Sequence, residues 1–402
     1  MQTVINPVIL KWARETAGLD VETAAKKIGI KDSKNQTAEE KLIELEYGRK
    51  AITRALLYKM SKHYRRPLII FYLDNPPKQE NFGGDFRSLP SYHSNKDDAT
   101  LNALIRDIKA RQYLVHSILE EEGRSEILSL NSLNIHDDVL KVVDSIKEQT
   151  KIDITEYRNK NDVTNAFKYL RNKIEDIGVF VLLLGNLGNY HTNISLETFR
   201  GLAYTDPIAP FIAINDQDTK TAWSFTLIHE LVHLLLGKSG ISNINNEFTI
   251  ESEELKIEKF CNDITSEILL PSNEIKALYV DINWNIEELK NFIASFARER
   301  HVSNSMVAYT LYRNKKITKD IWNNLSTHFK EEWKKNEEKN KENNQKKKGG
   351  PDYYLVKKDK VGLALINLTK SALFEGAISV SKAAKVLGVN PMNVYTLIEK
   401  SA

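Results

Sequence analysis

The sequence predicts a mainly α protein with a small α+β region in its middle. Three observations carry this. Short capped helical patterns fill residues 1–77 and 351–402, the apolar period turns from helical to strand-like between 178 and 215, and a strongly apolar helix follows at 221–236. A chain of 402 residues exceeds one ordinary domain. Apolar residues make up 41% and charged ones 28%, a globular balance. The longest apolar stretch, Val179–Leu184, has strand length and falls far short of the roughly 18 residues of a membrane span.

The N-terminus, Met1-Gln2-Thr3-Val4-Ile5-Asn6-Pro7, lacks the basic and apolar regions of a signal peptide. One cysteine, Cys261, rules out an internal disulfide and a thiolate zinc cluster. A cytoplasmic, non-membrane protein is expected. Net charge is +3, from 57 basic against 54 acidic residues, so any nucleic-acid contact would have to come from a local patch.

In chain order, Val8–Ala17 has helical spacing (Ile9, Leu10, Trp12, Ala13) and stops at Gly18. Val21–Ile28 follows with Asp20 at its N-cap and Gly29 at its end. Thr37–Tyr47 opens on a capping box, Thr37 with Glu40, and stops at Gly48. Ile52–Tyr64 runs to Arg65-Arg66-Pro67, and apolar Leu68–Leu73 leads to Pro76-Pro77. These are the dimensions of a helix-turn-helix bundle over 1–77.

Residues 78–96, rich in Gly, Pro, Ser and Asn, read as a linker opening a helical region to 176, in which Leu101–Glu122 is amphipathic. Gly178–Leu184, Phe199–Tyr204 and Pro210–Asn215 are runs of strand length that meet the helix Thr221–Leu236. Residues 254–270 and 286–300 are helical again, within a unit spanning 177–330. Lys330–Lys348 holds eight Lys and five Glu with only Trp333 apolar, so 331–350 reads as a charged spacer, either a solvated helix or disordered. The last unit, 351–402, carries a second helix-turn-helix-like pattern, Ser379–Leu387, Gly388, then Pro391–Glu399.

Chemistry concentrates at Ser224–Leu236. His229 and His233 are four apart, so on a helix both imidazoles leave one face and can bind one zinc ion. Glu230, beside the first histidine, is placed to hold a water and take its proton. Every other residue from Leu227 to Leu236 is apolar, which implies a buried helix. Two histidines and a carboxylate are costly to leave unpaired there; the plainer alternative is a pair of satisfied core histidines.

The metzincin continuation would need a glycine at 236 and a histidine at 239, where the chain has Leu236 and Ser239. The thermolysin-like alternative takes a carboxylate from a downstream helix. Glu258 lies 25 residues after His233 and shares a helix face with Asn262, so Glu258 could bind the metal and Asn262 support it. Glu251, Glu253, Glu254 and Asp263 compete for that role.

Pro210–Asn215, then Phe225-Thr226-Leu227 entering His229-Glu230 and His233, then Glu258 and Asn262 closing on Leu269-Leu270-Pro271, resembles the ImmA/IrrE family of zinc metallopeptidases. Leu10–Arg14 through Tyr64–Pro67 to Phe71 resembles the Xre, lambda-repressor-like domain often fused to them, and the tail from Gly349 resembles their C-terminal extension. The chain departs at Val232, where the family commonly has glycine, and at Cys261, where it has alanine. The resemblance implies a zincin-like catalytic domain and cleavage or destabilisation of a repressor in response to stress, phage or mobile elements. It also implies a partner encoded at a toxin–antitoxin or defence locus. The rival expectation is a DNA-binding regulator or antitoxin whose metal fold is a sensor or scaffold.

Residues 1–75 carry 14 Lys and Arg against 9 Asp and Glu. The expected recognition helix, Thr37–Glu46, instead presents Glu39, Glu40, Glu44 and Glu46, which repel phosphate. Positive charge sits on Arg49, Lys50, Arg54, Lys59 and Lys62, and on Arg65 and Arg66, so DNA contact is expected through this rim, with docking onto another protein as the alternative.

Overall fold

The computed structural model describes residues 5–77, 95–124, 132–188, 192–242, 253–281, 284–346 and 352–401. The fold is mainly α with one small sheet, as the sequence predicts. The chain forms two compact units, one within Met1–Lys109 and Asn186–Thr198, the other within Ala110–Gly185 and Phe199–Ala402. Among the described residues no helix is long and apolar enough to cross a membrane.

The first unit holds α1 (Pro7–Glu15), α2 (Val21–Ile28), α3 (Ala38–Glu46) and α4 (Arg54–His63), followed by a 3₁₀ turn at Leu68–Tyr72. Each helix begins on a side-chain cap. Asn6 accepts from Val8 N, Asp20 from Thr23 N and Thr53 from Leu56 N, while Thr37 and Glu40 form a full capping box. Apolar residues three and four apart close one core, including Ile9, Ala13, Ile28, Leu42, Leu57, Met60, Tyr64 and Phe71. Beside it, Arg14 and Glu46 form a buried two-bond pair, Nε to Oε1 at 2.7 Å and Nη2 to Oε2 at 3.0 Å. The hydrogen bond to Glu46 outweighs burial and raises the Arg14 guanidinium further above its ordinary value.

Helix α5 (Asn95–Glu121) follows, then α6 (Val139–Thr150), α7 (Ile154–Arg158) and α8 (Val163–Asp176). The sheet comprises β1 (Phe180–Leu183), β2 (Gly201–Tyr204), β3 (Phe211–Ile214) and β4 (Gly240–Ser242) in the order β1-β3-β2-β4. β1 and β3 run parallel, with Phe180 opposite Phe211; β2 is antiparallel to β3, with Gly201 opposite Ile214. The sequence pattern gave three of these strands. β4 has only three residues, pairs antiparallel with β2, and offers no periodicity to read.

Between β3 and β4 runs α9 (Lys220–Leu235), buried at nearly every position from Trp223 onward. Burial of each of its Leu, Ile and Val side chains contributes about 1.5–3 kcal/mol, which holds the helix rigidly between sheet and neighbours. Against it lies α10 (Glu253–Leu269), and α11 (Ser272–Ala277), α12 (Ile286–Glu299) and α13 (Asn304–Arg313) follow. Helix α14 (Lys319–Lys346) continues through most of the charged segment.

The chain ends in α15 (Tyr353–Val361), α16 (Leu363–Phe374), α17 (Val380–Leu387), a 3₁₀ turn at Pro391–Asn393 and α18 (Val394–Glu399). Helix α15 packs beside the edge strand β1. A buried ion pair on α8 fastens this region. Arg171 Nε donates to Glu175 Oε1 at 2.9 Å, Arg171 also donates to the carbonyls of Val181 and Asp359, and Glu175 accepts from Ala364 N at 3.1 Å. Gly362, at φ 88°, passes over the pair so closely that a Cβ would lie 3.0 Å from Arg171 Cζ.

Candidate metal centre

Helix α9 presents His229 and His233 one turn apart, and α10 brings Glu258 to meet them. Their Nε2 atoms are 3.1 Å apart. Glu258 Oε2 lies 3.2 Å from His229 Nε2, and Oε1 lies 3.2 Å from His233 Nε2. One ligand atom from each residue thus falls within a 4.8 Å cluster. Both histidine side chains are almost wholly buried, while Glu258 retains 23% exposure.

Burial alone would raise the Glu258 carboxyl. The hydrogen bonds from His229 and His233, and their charge, outweigh it and hold the group well below the ordinary carboxylate range. Phe225 stacks on the His229 ring, with centroids 6.0 Å apart and the ring planes 25° from parallel. Two imidazole nitrogens and a carboxylate aimed at one point, within an apolar core, suit a cation of zinc's preference for nitrogen and oxygen. The buried His229 Nδ1, which has no hydrogen-bond partner, leaves Nε2 as the ring atom committed to that point.

Three of the four competing carboxylates are elsewhere. Glu253 and Glu254 are exposed in the first turn of α10, and Asp263 pairs with Arg313. Glu251 lies outside the described residues. Asn262 follows Glu258 by one helical turn and is half-buried, with a buried Oδ1 that accepts no hydrogen bond.

Glu230 is fully buried beside His229. Its carboxylate sits under the first residue of β2: a Cβ on Gly201 would lie 2.7 Å from Glu230 Cδ and 2.6 Å from Thr226 Cγ2. Sequence reading missed Gly201, because a glycine opening a strand carries no signal of what passes over it. Burial, and after it the charges of Glu258 and Glu230, push the Cys261 thiol well above its ordinary value. Val232 and Cys261, the two departures from the family pattern, are both fully buried.

In the first unit, Arg49, Lys50, Arg54, Lys59 and Lys62 are exposed. Burial, and then the charges of Lys62, Lys27 and Lys59, push His63 down, so these three lysines gather about it. Two of the four carboxylates on α3 are occupied: Glu40 Oε2 accepts from Thr37 N at 2.9 Å, and Glu46 is buried against Arg14. The face is less acidic than its sequence suggests.

Two histidines and a glutamate on adjacent helices, with a second glutamate beside the first histidine, are the donor set of metal-dependent hydrolases. Residues 189–312 match the family model described as the IrrE N-terminal-like domain, Peptidase_M78, which supports a metallopeptidase of the ImmA/IrrE type. The matched stretch is under a third of the chain and carries β2, β3, α9, β4 and α10. No curated protein matches the chain.

Proposed function

We propose that the protein is a zinc-dependent endopeptidase acting on a regulatory protein, a repressor-like DNA-binding regulator, in a stress, phage or mobile-element response. The observation that carries this is the convergence of His229, His233 and Glu258 beside a buried Glu230. The three convergent residues hold the metal. Zinc, when bound, supplies Lewis acidity toward the substrate carbonyl and the positive charge that makes water a nucleophile near neutral pH. Glu230 takes the proton of the attacking water and delivers it to the leaving nitrogen. The apolar walls of α9 exclude bulk water and strengthen each of these interactions.

In this reading residues 1–77 are an Xre-like helix-turn-helix domain, 177–330 the catalytic domain and 351–402 its helical extension, all in the cytoplasm. A toxin or other product of the same locus is a further partner. Co-expression with a neighbouring repressor tests the reading. Wild type should cleave it, and Glu230→Gln should retain zinc yet leave it intact. Full cleavage by the Glu230→Gln protein overturns the assignment.

A second reading has the first unit contact DNA as a regulator. The exposed Arg49, Lys50, Arg54, Lys59 and Lys62, with Glu46 buried against Arg14, favour it. In that case Glu230→Gln keeps full biological effect in cells.

A further inference from the structure

The start of β2 is tied to residues 215–219, the loop that leads from β3 into α9. Asn215 N donates to Arg200 O at 2.8 Å, and Asn215 Nδ2 donates to Phe199 O at 2.9 Å. These bonds continue the antiparallel register in which Gly201 faces Ile214. The Arg200 side chain reaches further along the same loop, and its Nη1 donates to Asp218 Oδ2 at 2.7 Å. Asp218 is itself held. Its Oδ1 accepts from Thr219 N at 2.7 Å, and its carbonyl accepts from Trp223 Nε1, in the first turn of α9, at 3.1 Å. The Asp218 side chain is 6% exposed and that of Arg200 22%, so salt and water screen the pair little.

Arg200 immediately precedes the glycine that lies against Glu230. A Cβ at position 201 would meet both Thr226 and Glu230, which share a face of α9 one turn apart, so the strand crosses the helix at these two residues. Arg200 therefore bridges two points of α9. Its neighbour Gly201 bears on Glu230, and its side chain holds the loop from which the helix starts. Glu230 stands ten residues beyond the first helical residue, Lys220, about 15 Å along the axis. A helix packed at nearly every position moves as a rigid rod, so a slip of the loop against the strand is carried to Glu230 undiminished.

We propose that Arg200, paired with Asp218, is a positioning residue for the peptidase reaction: the ion pair sets where α9 stands along its axis against β2, and so where the Glu230 carboxylate lies under Gly201. The inference rests on the peptidase reading, in which Glu230 is the general base. Gly201 provides the space for the carboxylate, and Arg200 fixes the register in which that space meets it. A catalytic group misplaced by about 1 Å costs about 10²-fold in rate. Loss of one tether among several moves Glu230 by less, which corresponds to about 10-fold.

The test measures kcat and KM of the zinc-loaded full chain on the neighbouring repressor, with zinc content and melting temperature for each variant. Arg200→Ala should lose about 10-fold in kcat with KM and zinc content unchanged. Arg200→Lys, which keeps a cation within reach of Asp218, should recover most of that loss. Asp218→Asn leaves one oxygen for two donors, Arg200 Nη1 and Thr219 N, and should lower kcat in the same way; it carries the test if Arg200→Ala folds poorly. Lys360→Ala removes a 2.6 Å ion pair to Asp216 in the same loop without touching β2, and should keep the wild-type kcat. In a Glu230→Gln background Arg200→Ala should cost nothing further, because the group it positions is gone. A fall in kcat that persists at full size in that background, an equal fall in Lys360→Ala, or wild-type kcat in both Arg200→Ala and Asp218→Asn overturns the proposal while the peptidase reading stands. A wild type without Glu230-dependent cleavage overturns the reading, and the proposal with it.

Discussion

Gly201 and Glu230 are in packing contact across the sheet–helix interface: the glycine at the start of β2 leaves room for the buried carboxylate on α9, with only 2.7 Å between a Cβ at 201 and Glu230 Cδ. Even the smallest side chain on that strand position must displace the carboxylate. Gly201→Ala should therefore keep its zinc and lose about 10²-fold in kcat/KM, as for a general base moved by about 1 Å. Overpacking should cost about 1–3 kcal/mol of stability. Metal analysis beside peptide-cleavage kinetics checks this, and a variant with wild-type turnover would show that Glu230 is not the base.

Metal content gives a second prediction. The purified protein should carry about one zinc per chain, lost to chelators and greatly reduced in His229→Ala, His233→Ala and Glu258→Ala. Removal should lower the melting temperature, because a ligand bound only by the native state stabilises it. Stoichiometric zinc in the three variants would refute the ligand set.

Acid should weaken the metal-free protein through Glu258. Its native carboxyl lies below the ordinary value of 4.5, so the unfolded chain takes up the proton first as pH falls. The stabilisation is complete above that ordinary value and disappears as pH drops through the native one. The gap between melts of metal-free wild type and Glu258→Gln, followed from about pH 6 to about pH 3, should narrow steadily once pH falls below the ordinary carboxylate value. A gap independent of pH would deny the linkage.

The pair Arg14–Glu46 predicts a strong local effect. Glu46→Ala leaves the Arg14 charge buried and uncompensated, which costs about 3–5 kcal/mol. Hydrogen exchange should accelerate in α1 and α3. The double change Arg14→Met with Glu46→Leu should recover much of the loss, since replacing both partners by apolar groups is close to neutral.

How legible this was in the sequence depends on the range over which each signal acts. His229 and His233 announced themselves because helical spacing alone puts them on one face. Glu258 needed the further idea that a downstream helix would return, and among its described rivals Asp263 stands against Arg313 while Glu253 and Glu254 are in the exposed first turn. Arg14 and Glu46 stand 32 positions apart with no pattern joining them, so Glu46 read as a surface charge. β4 escaped because three residues hold no period, and Gly201 because the reason for a missing side chain lies in whatever occupies its space.

The clasp of Arg171 and Glu175 on the last helices bears on how this chain can be shortened. A stop codon placed before Asp352 would delete the Asp359 carbonyl and the Ala364 amide that bind the two charged groups, and would bare the outer edge of β1. An uncovered strand edge is a template for intermolecular pairing. The shortened polypeptide should reach the insoluble fraction with its metal ligands intact in sequence, so inactivity in such a deletion would report misassembly of the sheet and say nothing about chemistry.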